Sequence, residues 1–277
     1  MAKLLIAEEY KGMVVLPNQE IDLAHREAVD RTIMFMRGHL GESIRLDDLA
    51  EIAGFSPYHF NRMFRGLTGV PPRQFLSALR LEEGKKLLLA TDASVTDIVL
   101  NVGYNSFGTF STRFASSVGM SPFLFRKMNE QMLEAVDQFQ HMPKAAPYTE
   151  SSHVISGRIG KPGSFDGIIF VGLFPKPIPN CRPVAGTVTT NEQVYRMGPV
   201  PDGTYYVMSA AFRWSDERRT FLLPRESLRG QASGPVVIRR GQAKGYTDFE
   251  LRPPHVTDPP ILISLPLLLA EQMNRAN

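Results

Sequence analysis

The first half of the chain carries short runs of apolar residues at helical spacing. In "LDDLAEIA", Leu46, Leu49 and Ile52 fall on one face of a helix. The next run, "PYHFNRMFRGLT", has an apolar stripe with a polar face opposite. That stripe consists of Phe60, Met63, Phe64 and Leu67. The pattern predicts two short amphipathic helices joined by a tight turn.

The same pattern returns in "VTDIVLNVGYNSFGTFSTRFASSVGMSP". Gly54 and Phe55 correspond to Gly103 and Tyr104, and one inserted residue in "YNSFG" then shifts the later matches by one position. Those later matches are Phe60 with Phe110, Phe64 with Phe114, Gly69 with Gly119, Pro72 with Pro122 and Phe75 with Phe125. So many matches across a single insertion indicate a duplicated unit.

Each copy has the signals of a helix-turn-helix. Gly54 and Gly103 stand where a helix end favours positive φ, and we expect Ser56 and Asn105 to cap the following helices. A helix, a turn containing glycine and a second helix form this unit. The segment "PRQFLSALRLEEGKKLLLATD" between the copies predicts one long connecting helix.

The polar faces of the two second helices are candidates for DNA contact. The first face consists of Tyr58, Asn61, Arg62 and Arg65, and the second of Ser106, Thr109, Ser111, Thr112 and Arg113. Arginine can read guanine, asparagine can read adenine, and threonine can contact the thymine methyl group. Residues 52–81 and 98–129 contain no acidic residue, so both segments could face a polyanion. A solvated surface would explain one such face, but its recurrence in two similarly capped copies favours DNA.

Residues 27 to 128 resemble the AraC/XylS type of transcriptional regulator. The resemblance lies in "LAEIAGFSPYHFNRMFRGLTGVPPRQFLSALRLEEGKKLL" and "SVTDIVLNVGYNSFGTFSTRFASSVGMSPFLFR". It implies seven helices, with two recognition helices about 34 Å apart that read successive segments of the major groove. By position, it implies that the first segment is read by Tyr58, Asn61, Arg62 and Arg65. The second is then read or anchored by Thr109, Thr112 and Arg113, and phosphates are contacted by Arg65, Arg113 and Arg126.

The second half has the pattern of an all-β domain. Alternating β-branched and aromatic runs, separated by Gly, Pro and Asp, predict close to seven strands. These runs are "HVISGRI", "DGIIFVGLF", "VAGTVTT", "QVYRMG", "GTYYVMSAAF", "PVVIRR" and "YTDFELR". That number is typical of a sandwich. The segments "GIIFVGLF" and "VPDGTYY" resemble the transthyretin-like, or prealbumin-like, carboxypeptidase-regulatory β-sandwich.

These patterns divide the chain into an arm, two domains and a linker. The arm spans residues 1–22 and is expected to dock as a strand or strap, and the DNA-binding domain spans 23–142 and ends in a helix over 128–142. A linker follows at 143–151, and the sandwich occupies 152–277. The expected fold class is therefore multidomain, with an all-α double helix-turn-helix followed by an all-β sandwich.

Composition excludes several other classes of function. A single cysteine, Cys181, excludes an internal disulfide, and the six histidines show no metal-ligand spacing. No G-x-S-x-G or phosphate-loop motif is present, so we expect neither catalysis nor a cofactor. The longest apolar run, "ILISLPLLLA", is too short to span a membrane, and the N-terminus lacks an export signal. We expect a cytoplasmic protein with no membrane partner.

The sequence thus predicts a regulator that binds double-stranded DNA, with RNA polymerase as a further partner. The sandwich is expected either to bind a small-molecule effector or to make only a homodimer or protein contact, and a carbohydrate-binding or enzymatic module is a third alternative. Arg218, Arg219 and Arg225 begin an arginine-rich segment. These arginines are candidates for binding an anionic effector or the DNA backbone, and a merely solvated surface is the alternative.

Overall fold

The computed structural model describes residues 17–141, 155–163, 165–190 and 192–276. The strap predicted from the apolar pieces of the arm falls mainly on residues 1–16, and the predicted linker falls on 143–151, so both lie outside these ranges. The first helix begins at Pro17, inside the predicted arm.

Seven helices occupy residues 17–127, as the duplicated pattern and the family resemblance predict. They are α1 Pro17–Gly38, α2 Leu46–Ala53, α3 Pro57–Thr68, α4 Pro72–Ala90, α5 Val95–Asn101, α6 Phe107–Val118 and α7 Pro122–Lys127. Helix α8, Asn129–His141, confirms the helix predicted over 128–142. The two helix-turn-helix units are α2 with α3 and α5 with α6, and α4 connects them.

The turns inside the two units follow the predicted chemistry with one correction. Gly54 has φ 78° and Gly103 has φ 79°, so both adopt the left-handed conformation that glycine allows. The Ser56 hydroxyl accepts a hydrogen bond from the His59 amide and caps α3. In the second unit Ser106, not Asn105, caps α6. The prediction was wrong because the residue inserted in "YNSFG" delays the start of this helix by one position.

The duplicated phenylalanines form the core of the helical half. All six are fully buried, and they are Phe60, Phe64, Phe75, Phe110, Phe114 and Phe125. Successive rings in each copy lie 5.5 to 5.7 Å apart between centroids, mostly edge to face. The same three-ring arrangement therefore packs α3 against α4 in the first copy and α6 against α7 in the second.

Nine strands are present in the described part of the second half. They are β1 Ile155–Gly160, β2 Gly167–Phe174, β3 Ala185–Thr189, β4 Val194–Met197, β5 Gly203–Arg213, β6 Leu228–Gln231, β7 Val236–Arg239, β8 Gln242–Gly245 and β9 Phe249–Glu250. Every predicted strand is present. The sequence pattern missed β6 and β8, whose sequences "LRGQ" and "QAKG" are short and polar.

The strands build two sheets that enclose an apolar core. The smaller sheet has the order β4-β1-β9, and the larger has the order β3-β2-β5-β7-β8 with β6 also paired to β5. Ile155 and Tyr195 from the smaller sheet pack with Val171 and Val207 from the larger. The two sheets confirm a β-rich second region, whereas the prealbumin-like identity stays a prediction.

The central strand β2 of the larger sheet is buried on both faces. In β2 every residue is buried, and Ile169 and Val171 face the core between the sheets. Ile168 and Phe170 point the opposite way, because successive side chains of a strand alternate, and they share a core with the helices. The larger sheet is therefore a common wall between the two halves of the chain.

The chain ends in a helix that the strand pattern did not predict. Helix α9, Leu265–Ala276, packs against α8 of the helical half. Pro266 stands in its first turn, where proline is tolerated because that amide has no partner within the helix. Among the described residues, no helix is both long enough and apolar enough to cross a membrane.

Candidate nucleic-acid interface

The predicted contact residues of the first unit lie on the outer face of α3. Tyr58 is 80% exposed, Arg62 and Arg65 are exposed, and Asn61 is half-buried. The opposite face of the helix is fixed by the buried rings of Phe60 and Phe64. The structure therefore brings the four predicted polar side chains together on one accessible surface.

The corresponding surface of α6 is more neutral. Thr109, Thr112 and Arg113 are exposed, and Phe107, which is 50% exposed, adds an aromatic ring at the start of the helix. The Arg113 Nη1 donates to the Ser77 hydroxyl of α4 at 3.2 Å. This bond connects the second recognition helix directly to the connecting helix.

Arg126, predicted to contact phosphate, has partners within the protein. Its Nε donates to the Leu88 carbonyl at 3.1 Å, and its Nη2 donates to the Ala93 carbonyl at 2.8 Å. Both acceptors lie at or just beyond the C-terminal end of α4. These bonds indicate a positioning role for the half-buried side chain, and its contact with DNA stays a prediction.

Arg80 has a comparable role at the other side of α4, which the sequence analysis did not identify. Its Nε donates to the Leu40 carbonyl at 3.0 Å, and its Nη2 donates to the Glu42 carbonyl. Burial lowers the pKa of Arg80. Arg80 thus joins the connecting helix to the loop after α1, and Arg126 joins α7 to the end of the connecting helix and to the turn before α5.

The arginines proposed for effector binding lie partly at the contact between the two halves. Arg218 pairs with Asp137 of α8 at 2.8 Å, and Arg225 pairs with Glu82 of α4 at 3.2 Å. Arg219 is exposed. None of the three lines the cavity of about 810 Å³ that lies against the larger sheet. The structure does not gather them into one site, and their role in effector binding stays a prediction.

Two hydrogen bonds connect residues 262–264 to the helical half, one to the connecting helix α4 and one to the end of α6. The buried Lys85 of α4 donates from Nζ to the Leu262 carbonyl at 3.0 Å and lies 5.6 Å from the Phe125 ring centroid. The Ser264 amide donates to the carbonyl of Val118, the last residue of α6, at 3.0 Å. Burial lowers the pKa of Lys85 to about 7. Sequence reasoning gave no sign of either contact.

Comparison with known proteins matches the helical half. The family profile described as a helix-turn-helix domain matches residues 49–128. The HTH-type transcriptional activator AarP of Providencia stuartii is 32% identical over 98 residues, which are 35% of this chain and 73% of AarP. The bifunctional transcriptional activator/DNA repair enzyme AdaA of Bacillus subtilis is 31% identical over 104 residues, covering 38% of this chain and 49% of AdaA. The matched region thus spans about half of AdaA.

One solved structure resembles the same region. The DNA-binding domain of AdpA, a global transcriptional factor solved in complex with a target DNA, is 29% identical with a TM-score of 0.36. The resemblance covers 37% of this chain and 93% of that domain.

Proposed function

Because the chain belongs to the AraC-type helix-turn-helix transcriptional regulators, we propose that it reads one DNA site through two successive major-groove segments. Helix α3 enters the first segment and α6 the second. The observation that carries this proposal is the duplication itself. Both helices have 12 residues, a serine cap and a buried pair of phenylalanines, and each presents an outer face without acids.

The two helices contribute differently to recognition. On α3, Arg62 and Asn61 supply discrimination between bases, because their side chains can make paired hydrogen bonds to guanine and adenine. Arg65 anchors the helix on the phosphate backbone. On α6, Thr109 and Thr112 offer hydroxyl and methyl groups, and Arg113 is the charged residue of its outer face. We therefore expect stronger base preference in the half of the site that α3 contacts.

The test is selection of binding sites from random DNA with the whole protein. Arg62→Ala should weaken binding to the selected DNA site by about 1–3 kcal/mol and relax the base preference at the base pair that Arg62 contacts. Arg31→Ala is the control, because Arg31 is exposed on α1, outside both recognition helices. An Arg62→Ala protein with unchanged sequence preference would refute the proposed orientation of α3.

We also propose that the β-rich half controls this DNA binding in response to a small-molecule effector. The support is the hydrogen bond from the Ser264 amide to the end of α6, together with the bond from Lys85 of α4 to Leu262. A rearrangement of residues 262–264 would act on the second recognition helix and on the connecting helix. Contacts with RNA polymerase and homodimer formation stay predictions.

A further inference from the structure

A cavity of about 810 Å³ lies between the larger sheet and the segment that leads into α9. Phe170 and Met208 line it from the sheet, and Ile263 and Leu268 line it from the opposite side. Its volume falls in the range of about 300–1,000 Å³ that is typical of small-molecule sites. The apolar walls favour a ligand with an apolar body.

A buried arginine, Arg229, also lines this cavity. Arg229 lies on β6 directly opposite Ala210, so its side chain emerges on the sheet face that lines the cavity. The residue is only 9% exposed. Its Nη2 donates to the Pro224 carbonyl at 2.7 Å, whereas its Nε has no hydrogen-bond partner among the described residues.

Three acids influence Arg229 electrostatically: Asp258 and Glu82 are already paired with other arginines, and Glu226 is exposed to solvent. Asp258 accepts hydrogen bonds from Nη1 and Nη2 of Arg252 at 2.8 and 2.6 Å, and Glu82 accepts from Arg37 and Arg225 at 3.3 and 3.2 Å. Burial lowers the pKa of Arg229 to about 10, so the side chain is still charged at neutral pH. A buried charge is costly unless it is paired, and an anionic ligand would supply the acceptor.

We propose that this cavity binds an organic monocarboxylate, with the carboxylate on Arg229 and the apolar body between the larger sheet and Ile263. The other two arginines of the lining, Arg182 and Arg252, are paired with Glu271 and Asp258. Among the described residues, Arg229 is thus the arginine of the lining without an ion pair, and the walls around it are largely apolar. Such a site favours a molecule that carries one negative charge and is otherwise apolar.

The cavity wall also connects the ligand to DNA binding, a step that rests on the function proposed above. Ile261 and Ile263 line the cavity, and the residues that follow them contact the helical half. The Leu262 carbonyl accepts from Lys85, and the Ser264 amide donates to the carbonyl that ends α6. A ligand that shifts this wall would therefore change the position of the second recognition helix.

Isothermal titration calorimetry on the full chain tests the binding site. The probes are 2-naphthoate, indole-3-acetate and decanoate, each compared with its uncharged primary amide. At least one acid should bind about tenfold or more tightly than its amide, because a charge-assisted hydrogen bond is lost in the amide. Arg229→Met should remove that preference, and Arg239→Met, which changes an exposed arginine on β7, should leave it intact.

A second variant protects the test against a folding defect in Arg229→Met. Val188→Phe places a larger side chain in the cavity from β3 and should weaken both the acid and the amide. The proposal is overturned if no acid is preferred over its amide, if the preference survives Arg229→Met, or if Val188→Phe leaves binding unchanged. The same acid should change the affinity for the selected DNA site at least about threefold. If the acid binds but the affinity for DNA does not change, the link to regulation fails. If no DNA site is selected at all, the proposed function itself fails, and the calorimetry still tests whether the cavity binds a carboxylate.

Discussion

Replacement of the buried lysine of α4 gives a direct test of how the two halves are joined. Lys85 is 1% exposed, and its amine contacts the Leu262 carbonyl and faces the Phe125 ring. Burial is the main cause of its lowered pKa. Glu82 acts in the opposite direction, and Arg229 adds to the lowering. Lys85→Met retains the unbranched shape and most of the length of the side chain and removes the titrating group.

The pKa of Lys85 predicts the direction and size of a pH effect on stability. Its pKa is about 7 in the folded protein, compared with an ordinary value of 10.5. Between these values the unfolded chain binds a proton that the folded protein does not, so the free energy of unfolding rises with pH. From pH 7 to pH 9 the two pKa values correspond to a rise of about 2 kcal/mol in the free energy of unfolding. Below about pH 6 both states are protonated and the contribution becomes constant.

Urea unfolding at a series of pH values measures this contribution. The wild type should gain stability relative to Lys85→Met as the pH rises from 7 to 9, because all other titrating groups are shared. Lys86→Met is the control, since Lys86 is the exposed next residue of the same helix and makes an ion pair with Glu83. Its pH dependence should follow the wild type. Parallel curves for the wild type and Lys85→Met would refute the buried, deprotonating lysine.

Two further predictions concern the helices around α4. Gly84→Ala should destabilise the protein by about 1–3 kcal/mol, because a Cβ there would lie 2.9 Å from the buried Phe110 ring. Gly66 on α3 faces open space, so Gly66→Ala should stabilise the protein by about 0.5–1 kcal/mol in the same thermal unfolding assay. Equal effects of the two substitutions would contradict the packing of Gly84 against Phe110. Arg126→Ala should lower the free energy of unfolding by about 1 kcal/mol and leave the salt dependence of DNA binding unchanged. If instead the slope of log affinity for DNA against log salt concentration falls in magnitude by about one and stability is unchanged, that result supports the phosphate contact predicted from the sequence.

The helical half was predictable because its signals are local and repeated. Caps, glycine turns and the phenylalanine stripe each depend on residues a few positions apart. The exposed faces of α3 and α6 followed from the same periodicity. The error in the second cap, Asn105 in place of Ser106, arose at the inserted residue that breaks the repeat.

The contacts between the halves were not predictable in this way. Lys85 and Leu262 are 177 positions apart, and the acceptor is a backbone carbonyl that carries no side-chain signal. Arg126 likewise binds backbone carbonyls, so its residue type indicated only a charged surface. The continuous apolar run "GIIFVGLF" did contain a usable signal, because a strand without polar alternation is typical of a sheet covered on both faces.

The attachment of α4 to the β-rich half affects the range of DNA sites that the protein can accept. The connecting helix is held near its middle by the contacts of Glu82 with Arg225 and of Lys85 with Leu262. The separation and relative rotation of α3 and α6 are therefore set before DNA binds. Such preorganisation lowers the entropic cost of association. For the proposed reading of two groove segments, we therefore expect low tolerance of inserted or deleted base pairs between the segments, since each one would rotate the second segment away from α6.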